Sequence, residues 1–182
     1  MRLAGVRLRQ RDGVSCGPAV AVVARALLEP AHRLAGAGPA DLAWFAAEQA
    51  RVHGRINLIW PRALGTTPRG MVAAIGAGYR WRLWRGLWRR RDPLDDVLAA
   101  IRGGRPVPML VGRLIPRHWV LIVDVDRDVL GCYEPSSGDV RRVTTADVRS
   151  ARLTGLGYPR AFAFVLPPRV GQGLADGHHS NI

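Results

Sequence analysis

In the run RDGVSCGPAVAVV, from Arg11 to Val23, one of only two cysteines in the chain stands at the start of an apolar, helix-like segment. A thiol in that place lies beside unpaired backbone N–H groups and the positive end of the helix dipole, which favour the thiolate and suit a nucleophile. The plainer reading of Cys16 is burial as a small apolar residue, the commoner fate of a free cysteine. A nucleophile needs a base, and the base needs a group to orient it. Of the five histidines, His178 and His179 fall in the polar end of the chain. His32 and His53 follow helix ends, where interaction with carbonyls or the dipole explains them. His118 differs, because it opens the strand-like run HWVLIVDV directly after the turn IPR and its ring would project from a rigid sheet edge. The next such run, VLGCYE, closes on Glu134 before the turn PSSG. If the two runs pair as neighbours, a carboxylate comes to the His118 end and can fix the tautomer and orientation of the imidazole. Gln10, shortly before the cysteine, carries an amide that can donate to the oxyanion formed when a thiolate attacks a carbonyl, alongside the backbone N–H of Cys16.

The elements that must position these side chains are written in the periodicities. Ala19, Val20, Val22, Val23, Ala26 and Leu27 recur at helical spacing, with Pro18 early and Pro30 beyond the end, and predict a mostly buried helix. A second helix is expected from about Pro39 and Asp41 to Gly54. A third fits TPRGMVAAIGAG with Thr67 as cap, and a fourth fits DPLDDVLAAIRGG with Asp92 as cap and Pro93 at the first position. Beyond Arg105 the period changes to short β-branched and aromatic runs divided by turns: PVPMLVG, HWVLIVDV, VLGCYE, VRRVT and RAFAFVLP. Helices followed by an antiparallel sheet make an α+β domain, N-terminal helices packed on a C-terminal sheet, spanning residues 1–167. Residues 168–182 carry no periodicity and read as a flexible tail.

Gln10, five intervening residues, CGP opening a long helix, then HWVLIV and YEPSSG on successive strands resemble the papain-like cysteine peptidases. Within them the pattern is most similar to the compact bacterial branch that includes the double-glycine leader peptidases of bacteriocin exporters. The resemblance implies that Gln10 is the oxyanion donor, Cys16 the nucleophile and His118 the general base and acid, with Glu134 in the place of the orienting acid. Relatives usually carry Asp or Asn there. Glu is one methylene longer and must fold back, which leaves Asp139 and Asp124 as competitors, although Asp124 lies roughly 20 Å along the strand from His118. Cys132, two residues before Glu134, is expected as a buried free thiol.

The chain has 182 residues, 48% hydrophobic and 23% charged, the composition of a globular domain. Its 27 basic residues are all Arg and outnumber 14 acidic ones, for a net charge of +13. A GC-rich coding bias accounts for much of that, and the remainder is a field attractive to anions. The stretch YRWRLWRGLWRRR, Tyr79 to Arg91, is amphipathic as a helix and alternating as a strand. Two readings stand for it: its tryptophans pack on the domain while Arg stems cover their edges, or it meets an anionic partner such as an acidic peptide or anionic membrane; nucleic acid is not expected, since no recognised nucleic-acid module accompanies it. No apolar run is long enough to span a membrane and no signal-like segment precedes Gln10, so a cytoplasmic location is expected. No feature specifies an oligomeric state. The expected function is thiol-dependent hydrolysis of a peptide or other amide, with no metal or organic cofactor. Acyl transfer at the same site, or a non-catalytic binding module using the Arg/Trp surface, are the alternatives.

Overall fold

The apolar run after Cys16 forms α1 (Cys16–Leu28), buried at every position from Cys16 to Ala24. Such a helix has to be enclosed on several sides, and the chain supplies the enclosure. The computed structural model describes residues 2–3, 6–29, 39–56, 66–76, 78–84 and 93–169. A short hairpin, β1 (Arg2–Leu3) and β2 (Val6–Arg7), leads into α1. Then come α2 (Pro39–Ile56), α3 (Pro68–Ile75), β3 (Arg80–Leu83) and α4 (Leu94–Arg102). The remainder is β4 (Val107–Gly112), β5 (Pro116–Asp126), β6 (Val129–Glu134), β7 (Asp139–Thr144), the short α5 (Thr145–Arg149), a 3-10 turn (Leu153–Leu156) and β8 (Arg160–Leu166).

The architecture is α+β, helices with a six-stranded antiparallel sheet in the order β3-β8-β4-β5-β6-β7. Its central strands read as continuous apolar runs because both faces are covered. On one face α1, α2 and α3 bring Val20, Val23, Phe45, Val52 and Met71 against Trp119, Leu121, Tyr133 and Val165. On the other, α4 and the α5 region bring Leu94, Val97, Val148 and Leu153 against Val120, Ile122, Leu130, Cys132 and Phe164. The sheet is therefore sandwiched, and it is not wholly C-terminal, since β3 joins its edge from before α4.

Local chemistry explains most boundaries. Thr67 caps α3 by accepting the Gly70 N–H, as its position before Pro68 predicts. α2 runs two residues past Gly54 to Ile56. At α4 the capping position is Pro93, which offers no side-chain bond, and the predicted cap Asp92 lies outside the described residues. The strand reading of Tyr79–Leu83 holds over β3: Tyr79 is buried and gives its hydroxyl to Pro106 O, while Trp81 and Leu83 are exposed. Residues 85–91 of the Arg/Trp stretch, and 170–182 of the expected tail, lie outside the described residues.

Candidate active site

The segment that delivers the cysteine is stapled from two sides. Tyr133 on β6 donates its hydroxyl to Leu8 O, Arg9 Nε donates to Ser137 O, and Gln10 N–H donates to Pro135 O. From α2 the buried Gln49 accepts the Arg11 N–H and donates to Arg9 O. A tight turn follows. Asp12 N–H donates to Ser15 Oγ, the Ser15 hydroxyl returns to Asp12 O, and Val14 N–H donates to the Asp12 carboxylate. Ser15 thus holds the turn and makes no side-chain cap on α1. No acidic residue stands in the first helical turn, so the positive end of α1 is left to Cys16.

His118 enters from the sheet. The β4–β5 register is regular from Val107↔Ile122 to Val111↔His118, then slips by one residue to Gly112↔Pro116. That bulge sits immediately before His118, at the end of the strand where a ring can be aimed out of the sheet. On the other side β6 pairs with β5 through Leu121↔Tyr133, which places Glu134 diagonally across from His118 on the same face. The His118 Nε2 and Glu134 Oε1 are 2.9 Å apart. The Cys16 side chain is the other group that favours the charged imidazole. With Nε2 engaged by Glu134, Nδ1 is the nitrogen left for the sulfur.

Glu134 folds back as its extra methylene requires, held by its own turn. Its Oε1 accepts the Ser136 N–H at 2.8 Å and its Oε2 the Ser137 N–H at 2.9 Å, with an Arg141 guanidinium nitrogen 3.8 Å from Oε2. Burial opposes its charge, but the bonds from His118, Ser136 and Ser137 prevail and hold the carboxyl well below the usual carboxylate range. For His118, burial likewise opposes charge, while hydrogen bonds to Cys16 and Glu134 outweigh it and push the imidazolium up to about 9. The three side chains are shielded together: Cys16 is 4%, His118 7% and Glu134 4% exposed.

The competing acids are employed elsewhere. Asp124 pairs with Arg142 at 2.8 Å, and Asp139 with Arg7 at 3.1 Å. A register shift between Ile122 and Asp124 also resets the strand alternation, so a simple count from His118 fails there. Cys132 is fully buried and free, its thiol pushed up to about 12 by burial. Gln10 arrives near the site but is tied to the turn after Glu134. Its Nε2 donates to Asp12 O at 2.7 Å, and its Oε1 accepts from the Ser136 hydroxyl at 3.3 Å.

Three participants escape the sequence reading. Tyr158 lies against the His118 ring, centroids 5.5 Å apart and planes 28° from parallel, covering one face of the imidazole. Gln49 fixes the segment around Gln10. Thr66 packs against Gly17 and accepts the Trp119 indole N–H on its carbonyl at 2.7 Å. An aromatic after a glycine, a glutamine inside a helix and a threonine before a cap have no local signature of function, and only the tertiary fold brings them here.

Among the described residues no group of three or more His, Cys, Asp or Glu side chains is placed to hold a metal ion. No described helix is long and apolar enough to cross a membrane. Neither a protein-family model nor a curated protein matches the chain. Among solved structures, the chain is similar to the peptidase domain of Streptococcus ComA, a bi-functional ABC transporter involved in a quorum sensing pathway. The match has 17% identity and a TM-score of 0.49, and covers 88% of this chain and 97% of that one.

Proposed function

We propose that the protein is a thiol-dependent peptidase or related amide hydrolase, with Cys16 as nucleophile, His118 as general base and acid, and Glu134 as the group that orients the imidazole. The observation that carries this reading is the buried His118–Glu134 hydrogen bond, with the Cys16 side chain favouring the charged ring, a grouping drawn from a helix N-terminus and two neighbouring strands. It has the order of a nucleophile, a base and an orienting acid. His118 draws the thiol proton, and the sulfur attacks the amide carbonyl carbon. The C–N bond breaks as the imidazolium gives its proton to the leaving nitrogen. Water, relieved of a proton by the same imidazole, then cleaves the thioester and frees the carboxylic acid. The backbone N–H of Cys16 serves the oxyanion, together with the second N–H of the Gln10 amide, whose first is spent on Asp12 O. The substrate class that fits is an amide, a peptide bond among them, whose poor leaving group needs the proton the imidazolium gives.

Alkylation rate tests the reading. Iodoacetamide at pH 6 should modify Cys16 at least about tenfold faster than a free thiol, because a thiolate is the reacting form. His118→Ala should remove that excess while Cys132 stays unmodified in both proteins. Cys16 behaving as an ordinary thiol, or an excess that survives His118→Ala, contradicts it.

A further inference from the structure

Thr66 is a buried residue, 4% exposed, and its Oγ1 has no hydrogen-bond partner. An unpaired buried hydroxyl costs stability, and Val would fill the same space without that cost. Its location is specific. A Cβ built on Gly17 would fall 2.2 Å from Thr66 Oγ1 and 2.4 Å from Thr66 Cβ, so the threonine side chain occupies the place where residue 17 would carry its own. In an α-helix the Cα–Cβ direction tilts toward the N-terminus. The hydroxyl therefore stands beside the opening turn of α1, next to the residue that follows the nucleophile. That turn is rich in unspent donors. Pro18 has no N–H, Ala19 N–H is the first to bond back, to Ser15 O, and Ser15 offers no side-chain cap. The other end of Thr66 is fixed by the Trp119 indole, one residue from His118.

We infer that the Thr66 hydroxyl is a further oxyanion donor, hydrogen-bonding the oxygen of the carbonyl that Cys16 attacks. This rests on the function proposed above and names a residue for it. As the C–S bond forms, the carbonyl π pair moves onto oxygen. Thr66 O–H and the helix amides donate to that oxygen without surrendering a proton, and the pair returns when the leaving group departs. Thr66 is as shielded as Cys16, each 4% exposed. Gly17 leaves room for this, because any side chain there would displace Thr66.

The test uses Thr66→Val, which keeps shape and removes the donor, and Thr66→Ser, which keeps the donor. Two probes are compared: p-nitrophenyl acetate, which acylates through an oxyanion, and iodoacetamide, which alkylates at a saturated carbon and forms none. Thr66→Val should slow acylation about a hundredfold and leave alkylation unchanged, and Thr66→Ser should retain most of the acylation rate. The unfolding midpoint of Thr66→Val in urea should be no lower than that of the parent, which separates lost catalysis from lost fold. Acylation by Thr66→Val at the parental rate overturns the inference, and so does an equal slowing of both probes. A parent protein that alkylates like a free thiol defeats the nucleophile reading itself, a result distinguishable from either.

Discussion

Glu134 is the residue at which the expected pattern is altered, and its surroundings show how the longer side chain is held. Two backbone N–H groups of its own turn take one carboxylate oxygen each, and His118 shares Oε1 with Ser136. Glutamine cannot replace it cleanly, because one end of its amide is an NH2 that must face one of those two donors. His118 holds its proton up to about 9, so amide cleavage, which needs the imidazolium to protonate the leaving nitrogen, should lose rate as pH rises through that value. Glu134→Gln removes the charge that favours the imidazolium. Its alkaline limb should move toward neutral pH and its plateau rate fall about ten- to a hundredfold, read from a pH–rate profile. An unmoved limb would show that Glu134 does not govern His118. Cys16, His118 and Glu134 were legible because each stands at the boundary of a strongly patterned run. Thr66, Tyr158 and Gln49 were not, since their types are ordinary and their roles arise from contacts with segments tens of residues away.

At the scale of elements, the β4–β5 hairpin places the histidine. Gly112 has no room for a side chain: a Cβ there would fall 2.0 Å from Ile115 O, a backbone atom that moves only with the turn. Gly112→Ala should lower stability by about 1–3 kcal/mol in urea unfolding and slow Cys16 alkylation at pH 6, because the displaced turn carries Pro116–His118. Parental stability and rate in that variant would mean the bulge is not what aims the ring. The four longer helices and the five strands after Arg105 could be read from period and punctuation alone. The capping box of α5, Thr144 with Asp147, had a recognisable T-x-x-D signature that was overtaken by the strand-like VRRVT before it. The helix expected to open on Pro93 begins one residue later, at Leu94, with Pro93 in the capping position.

In the whole molecule, the sheet order brings β5 to the centre, with β4 and β6 as its neighbours, and α1 packs on the face bearing Trp119 and Leu121. That topology draws residues 16, 118 and 134 into one buried cluster, something the one-dimensional pattern could suggest only through an assumed strand pairing. The burial of both sheet faces was not legible, since a continuous apolar strand fits a buried helix segment equally well until its partners are known. The arginine excess is partly offset at the surface: Arg82 and Arg169 both reach Asp96, at 2.7 and 3.1 Å, so the β3 edge is less cationic than its composition implies. What most directly tests the closure of the site is the titration of the His118 ring, followed by NMR in the parent and in Cys16→Ser. The imidazole should hold its proton to about pH 9 in the parent and release it at a lower pH in the variant, because the sulfur is one of the two groups that favour the charged ring. A ring that titrates near the ordinary histidine value of about 6.5 in both proteins would mean that sulfur and imidazole do not meet.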